Sequence, residues 1–525
     1  MKRRSFVEFL GKGSLVSLVL NPLLVVSSCK SGDKLHEVKV LFEALNSSVI
    51  VDDVVLSEGF TYQVVVSAGD IISDKDTFGE HCDFNALFPI DNSNTEAILW
   101  TNNEYYDRVT LGTSSSLRTK EEIDKERYAV GGSITKIVKD KDGLWTFVKD
   151  NAINKRITGE TKITFLWDEE IAGCSIAEGT LQNCSGGVTP WGTVLTCEEN
   201  YDSQYGEISY LNGKREFIPS YYQWEKHYNH PPEHYGWVVE VNIHTGAAQK
   251  LVALGRCKHE CATVVGLEDG RVVVYSGDDE SDQFIYKYVS KYAKDLKEGI
   301  LYVADVNNGK WLALDYDNNK LLQANFENQT AVLIRVREAA KLLGASPMNR
   351  PEDIKIDPIS GDVFVSLTNN KLIGDYHGSI LKIVEDTADK TGDTFRVETF
   401  LMGGAKEGFS SPDNLVFDNK GNLWFATDVS GRSLGNGEYA EFLSNGLFVV
   451  PRSGERQGEV IQVGSAPVDA ELTGLCFHPD GKTLFVSVQH PGETSLDINN
   501  LTSHWPLGRN SIPKSSVIAI TGNFL

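Results

Sequence analysis

The sequence predicts an all-β chain wound as a six-bladed β-propeller, with loop insertions and a few short helices. Three observations carry this reading. One phrase recurs six times along the 525 residues: a turn rich in Asp, Asn and Gly, then an apolar strand, then a polar or acidic residue. Long-period repeats of turn plus strand mark propellers and related arrays. Helical periodicity is scarce, with 336–343 the main exception. Nineteen Tyr, 23 Phe and nine Trp favour strands over a helical bundle.

The copies follow in order. Asp91-Asn92-Ser93-Asn94 precedes Ala97-Ile98-Leu99-Trp100-Thr101 and ends at Glu104. Thr189-Pro190-Trp191-Gly192 precedes Val194-Leu195-Thr196 and ends at Cys197-Glu198-Glu199. Glu268-Asp269-Gly270 leads through Val272-Val273-Val274-Tyr275 to Asp278-Asp279. Asp357-Pro358-Ile359-Ser360-Gly361 leads through Val363-Phe364-Val365 to Asn369-Asn370, and Asp418-Asn419-Lys420-Gly421 through Leu423-Trp424-Phe425 to Asp428. His478-Pro479-Asp480-Gly481 leads through Leu484-Phe485-Val486 to Gln489-His490. If these strands are equivalent, their polar ends meet at one mouth of the propeller channel, where Glu104, Glu199, Asp278, Asn370, Asp428 and His490 converge. The longer early gaps hold insertions, notably the Tyr- and His-rich stretch 221–234. Two packed β-sandwiches are the alternative fold, but they leave the recurrence unexplained.

The second copy ends in an unusual donor set. Cys197 offers a soft thiolate, suited to transition metals, beside the hard carboxylates of Glu198 and Glu199, suited to calcium and ferric iron. In a regular strand Cys197 and Glu199 share one face and Glu198 takes the other. Further carboxylates stand just before later strands: Glu260 after Lys258-His259, then Arg350-Pro351-Glu352-Asp353, Ser411-Pro412-Asp413-Asn414 and Glu471-Leu472-Thr473-Gly474. His259 and His490 read as structural or supporting groups. No P-loop, no Gly-x-Ser-x-Gly elbow and no paired Cys-x-x-Cys motif is present.

Composition narrows the class. The formal net charge of −23 disfavours nucleic acid, whose binding needs clustered Lys and Arg. Arg3-Arg4 ahead of an apolar stretch resembles a twin-arginine export signal, and Val26-Ser27-Ser28-Cys29 resembles a lipobox. Residues 1–29 are therefore read as the export signal, 30–40 as a tether and 41–525 as one propeller domain. The expected product is an exported periplasmic or cell-surface lipoprotein, touching the membrane only through its N-terminal lipid and acting as a monomer. Without Cys29, seven Cys remain, so in an oxidising compartment at least one cannot be in an intramolecular disulfide.

The ordered motifs resemble one family. Asn183-Cys184-Ser185-Gly186-Gly187-Val188-Thr189-Pro190-Trp191-Gly192-Thr193 through Cys197-Glu198-Glu199, with Asn103-Glu104-Tyr105, His259-Glu260, Arg350-Pro351-Glu352-Asp353, Ser411-Pro412-Asp413-Asn414 and Gln489-His490-Pro491-Gly492, is similar to the signature of PhoX-type alkaline phosphatases. The chain departs from the family at Asn103, where His is frequent, and at Glu80-His81-Cys82. The resemblance implies hydrolysis of small-molecule phosphate monoesters in a cluster of two Fe3+ and two or three Ca2+, by a metal-activated oxygen nucleophile. It makes Cys197 the thiolate bridging the irons, Glu104, Glu198 and Glu260 cluster ligands, Arg350 the phosphate-binding guanidinium and Glu352 a calcium ligand beside it. Asp413 and Glu471 are implied further ligands, and Glu199 has no assigned role. The rival readings are a calcium-dependent propeller lactonase or phosphodiesterase, and a non-catalytic surface-binding propeller stabilised by calcium.

Overall fold

Each recurrence is the second strand of a sheet, and six such sheets form a ring. The computed structural model describes residue 45 and residues 50–114, 118–210 and 214–522. The chain divides into Met1–Lys39 and Val40–Leu525; the export signal expected at 1–29 and the tether at 30–40 lie outside the described residues.

From the centre outward, blade 1 begins with Cys82–Pro89, Glu96–Asn103 and Gly131–Lys139, and blade 2 with Asn183–Val188, Val194–Glu198 and Val238–Val241. Blade 3 begins with Thr263–Gly266, Val272–Gly277 and Ile285–Ser290, blade 4 with Pro351–Ile356, Val363–Leu367 and Ser379–Glu385, and blade 5 with Pro412–Phe417, Leu423–Thr427 and Gly446–Val450. Blade 6 runs Glu471–Phe477, Thr483–Gln489, Ser516–Gly522, and its outermost strand is Phe60–Ser67 from the other end of the domain. First strands of adjacent blades touch all round, blade 6 meeting blade 1, so the ring is closed.

The local chemistry explains the phrase. In the turn before the second strand, an Asp carboxylate accepts backbone N–H groups two to four residues on: Asp418 Oδ1 from Lys420 N and Asn422 N, both at 2.9 Å, and Asp357 Oδ1 from Ile359 N at 2.9 Å. Such Asx bonds fix the turn. The Gly that closes it sits at φ 78° in Gly421 and 76° in Gly361, a region costly for residues with a Cβ. The second strand then lies between two neighbouring blades and is largely apolar; all five residues of Leu423–Thr427 and of Val363–Leu367 are buried.

The first strands are entered differently. His81, Gln182, Arg350, Ser411 and Asp469 all have positive φ, between 38° and 62°. Their strands carry a bulge near the start, so pairing slips between 82 and 85, 183 and 186, 351 and 354, 412 and 415, and 473 and 476. A bulge re-aims the extra side chain and frees it from strict alternation.

Insertions thicken the side of the ring where second strands end. Arg108–Leu111 and Lys120–Ala129 follow blade 1's second strand, and residues 201–236 follow that of blade 2. The two insertions pack together through Tyr106, Ile123, Tyr205, Trp224 and Tyr235. Three helices, Lys320–Asn325, Gln329–Ile334 and Val336–Leu343, join blades 3 and 4, the last of them the helix expected from the periodicity. Among the described residues no helix is long and apolar enough to cross a membrane.

Because Phe60–Ser67 closes the ring, removing residues 1–67 should abolish cooperative unfolding rather than shift it. Loss of the sharp thermal transition by circular dichroism is the expected result.

Candidate metal centre

A cavity of about 200 Å³ opens where the first strands begin and the second strands end. One backbone pattern builds it. A residue one or two past a second strand donates its N–H to the carbonyl of the residue two before a first-strand side chain. Glu104 N bonds His81 O at 3.1 Å, Glu199 N bonds Gln182 O at 2.9 Å, and Asp279 N bonds Lys258 O at 2.9 Å. Thr368 N bonds Arg350 O at 3.1 Å and Asp428 N bonds Ser411 O at 2.9 Å. Each bond brings two side chains to the same mouth: Asp83 with Glu104, Cys184 with Glu199, Glu260 with Asp279, and Asp413 with Asp428 all line the cavity. Blade 6 supplies Glu471 and His490, while blade 4 supplies Glu352 alone, Thr368 standing off the cavity.

Ten carboxylates line this space, Glu493 being the tenth, against one guanidinium. Three overlapping groups have donor atoms within 4.8 Å of one another: Asp83, Glu104 and Cys184; Cys184, Glu199 and Glu260; Glu260, Asp279 and Glu352. Cys184 Sγ stands 3.4 Å from Asp83 Oδ2 and 3.2 Å from Glu260 Oε1. Gln489 Nε2 donates to Asp83 Oδ2 at 3.0 Å and Glu104 Oε2 at 2.9 Å, fixing blade 1's pair. Glu260 Oε2 and Asp413 Oδ1 are buried without a hydrogen-bond partner among the described residues.

Burial and mutual repulsion oppose ionisation here. Burial raises Asp83 to about 7 and Glu104 to about 8, and neighbouring carboxylates add to it. The same causes push Glu199, Glu260, Asp413 and Glu471 well above the carboxylate range; Glu352 follows despite Arg350. Burial, then Asp83 and Glu260, lifts the Cys184 thiol. Asp279 goes the other way: burial would raise it, but Arg350 holds it low. Arg350 Nε donates to Asp279 Oδ1 at 2.8 Å and Nη2 to Asp279 Oδ2 at 2.7 Å, and Nη2 forms an ion pair with Glu352 Oε1 at 2.9 Å. Nη1 has no partner among the described residues. Hard oxygen donors, an adjacent thiol and orphaned carboxylate oxygens fit multivalent cations, which supply the charge this site lacks.

Of the residues expected from sequence, Glu104, Glu260, Arg350, Glu352, Asp413 and Glu471 are brought together. Cys197 and Glu198 are not, and both expectations are corrected. Cys197 points into the hydrophobic core with Leu195, Trp237 and Val238. Glu198 is fully buried: Oε1 accepts from Lys250 Nζ at 2.6 Å, and Oε2 from Gly236 N at 2.9 Å and Trp237 N at 3.1 Å. Both lie within the strand, whereas Glu199 lies one residue past its end. The thiol on the cavity is Cys184, at the bulge of the first strand. Asp278 is held by Arg337, leaving Asp279 on the cavity, and Asn370 bonds Asp282 and Asn349 instead. All seven described cysteines are free thiols.

The family model for alkaline phosphatase PhoX matches residues 40–492. Among solved structures, Pseudomonas fluorescens PhoX in complex with vanadate, a transition state analogue, superposes with a TM-score of 0.81 at 30% identity, covering 92% of this chain and 98% of that one. A protein of unknown function from Dyadobacter fermentans gives a TM-score of 0.38 at 10% identity, covering 88% and 99%. A gluconolactonase from Xanthomonas campestris gives 0.31 at 10%, covering 88% and 98%. Neither of these two bears on function. No curated protein sequence matches the chain.

The raised carboxylates set a pH dependence for protein stripped of metal. Between about pH 4 and pH 8 the folded chain keeps protons on Asp83 and Glu104 that the unfolded chain has lost. Stability is then greatest below the unfolded values and falls as pH rises through about 7 to 8. After chelation, the thermal midpoint should drop by several degrees from acid to mildly alkaline buffer, while metal-loaded protein stays nearly level. A chelated protein that grows more stable with pH would contradict this.

Proposed function

The chain belongs to the PhoX alkaline phosphatase family, whose members are metal-dependent phosphatases, and from this membership we propose that it hydrolyses phosphate monoesters outside the cytoplasm. The carrying observation is a cavity lined by ten carboxylates that also presents one unpaired guanidinium edge. A phosphate monoester is a dianion, which carboxylates alone repel. Ferric iron and calcium, the ions proposed here, would be held by Asp83, Glu104, Cys184, Glu199, Glu260, Asp279 and Glu352, with Asp413, Asp428 and Glu471 around a further position. When bound, they supply positive charge to the phosphoryl oxygens and Lewis acidity to an oxygen nucleophile.

The protein's own part is orientation. Arg350 is held along one edge by Asp279 and Glu352, so its guanidinium plane is set before substrate arrives and Nη1 faces the phosphoryl group. The cavity falls below the roughly 300 Å³ at which drug-sized ligands are enclosed. It takes the phosphoryl group and leaves the alcohol at the mouth, which favours a broad range of monoesters.

Cys184 replaces Cys197 as the thiolate proposed to join the metals. Cys184→Ala should lose bound transition metal and at least about 1000-fold in kcat with p-nitrophenyl phosphate. Cys197→Ala should keep both and lose only about 1 kcal/mol of stability from a small core cavity. Elemental analysis with the phosphatase assay reads both variants; retained metal and activity in Cys184→Ala sinks the assignment.

Export by the twin-arginine route and lipid attachment at Cys29 complete the proposal, the enzyme acting as a tethered monomer. Replacing Arg3 and Arg4 by Lys should hold the unprocessed chain in the cytoplasm, as read by cell fractionation.

A further inference from the structure

Tyr105 directly follows Glu104 and lines the cavity. It is half-buried where the carboxylates behind it are buried, so it stands on the outward side of the site. Its ring lies 4.2 Å from that of His81, tilted by 34°, and 6.3 Å from that of His490. His490 is itself held, Nδ1 against Asp469 O at 3.0 Å and Nε2 against Glu471 Oε1 at 3.2 Å. The phenol therefore cannot swing freely. The carboxylates of Glu104, Glu493, Glu471 and Asp428 act on it electrostatically. Among the described residues its hydroxyl makes no hydrogen bond. An aromatic side chain with a polar tip, clamped at the mouth of a charged cavity, ordinarily finds a partner for that tip.

The ring of blades adds direction. Tyr105 belongs to blade 1 and Arg350 to blade 4, three blades apart in a closed ring of six. Both line the same cavity, from opposite blades of the ring. A phosphoryl group drawn to Arg350 and the deep cluster would leave its ester oxygen on the outward side. In phosphoryl transfer, negative charge builds on that leaving oxygen as its bond to phosphorus lengthens. Carboxylates oppose this charge, whereas a neutral O–H favours it.

We propose that the Tyr105 hydroxyl donates a hydrogen bond to the leaving-group oxygen of the monoester, which makes Tyr105 a catalytic residue that also positions the alcohol. Water and the monoester give alcohol and inorganic phosphate. The P–O(R) bond breaks with its electron pair remaining on the alcohol oxygen, that oxygen takes a proton from solvent, and Tyr105 keeps its own. This role rests on the phosphatase reading above.

The test compares leaving groups in Tyr105→Phe, which preserves the ring and its contact with His81. An alkoxide keeps its leaving charge on the oxygen, whereas p-nitrophenolate spreads it into the ring and nitro group and needs far less help from a donor. Loss of the donor should lower kcat by about 100-fold with glycerol 2-phosphate, and by less than about 5-fold with p-nitrophenyl phosphate, leaving KM and metal content unchanged. Equal losses on both substrates, no loss on either, or loss of metal would each overturn the role. A wild-type protein that turns over neither substrate would instead remove the phosphatase reading, so the two failures are told apart.

Discussion

The site depends on one backbone hydrogen bond repeated round the ring. In five blades, the residue past the second strand donates to the carbonyl of a residue that enters the first strand. In four of those blades that carbonyl belongs to a residue at positive φ, a conformation that costs a non-glycine residue roughly 1 kcal/mol or more. The bond and the following bulge hold it there. Together they turn two side chains from each of four blades, and Glu352 from blade 4, towards one cavity, which regular strand alternation would not do. Convergence of residues separated by about 400 positions in sequence, such as Asp83 and Gln489, follows from this repeated local geometry.

Its consequence is electrostatic. Three blades bring acidic pairs to one mouth and the other three add Glu199, Glu352 and Glu471, a cluster whose ionisation burial and mutual repulsion oppose. The raised Asp83 and Glu104 report that conflict. Asp279 escapes it, through Arg350. Contrast the pairs that serve stability: Glu198 is matched by Lys250 and two backbone N–H groups, and Asp278 by Arg337. Acidic residues one position away from the cavity are neutralised by the protein, while those on it are left for a ligand. This division within single dipeptides separates the structural acids from the functional ones.

The same division shows what the sequence disclosed and what it withheld. The six turns and second strands were legible because Asx turns and doubly buried strands impose strong residue patterns, and the ends at Glu104, Asp428 and His490 followed from them. The first strands were harder to read. A bulge adds one residue and breaks the two-residue period, so no alternation rule places Cys184. A one-residue slip then made Cys197 and Glu198 look like donors when they sit inside the strand. A signal was nonetheless present: Asn183-Cys184-Ser185-Gly186 occupies the same place ahead of its strand as Pro351-Glu352-Asp353-Ile354 and Pro412-Asp413-Asn414-Leu415, which aligns Cys184 with Glu352 and Asp413.

The blades are alike in backbone, so the chemistry must come from where their side chains differ. At the first-strand position, five blades carry Asp or Glu and blade 2 carries Cys184, which makes one side of the cluster soft. At the entry position the six residues are His81, Gln182, Lys258, Arg350, Ser411 and Asp469, and of these only Arg350 lines the cavity. The partner position of its own blade, Thr368, contributes no carboxylate and stands off the cavity. Removing one acid beside the single guanidinium leaves that edge free for an anion, where a symmetric ring would have neutralised it. Repetition thus accounts for the acidic cluster, and a break in the repetition accounts for the one guanidinium that lines it.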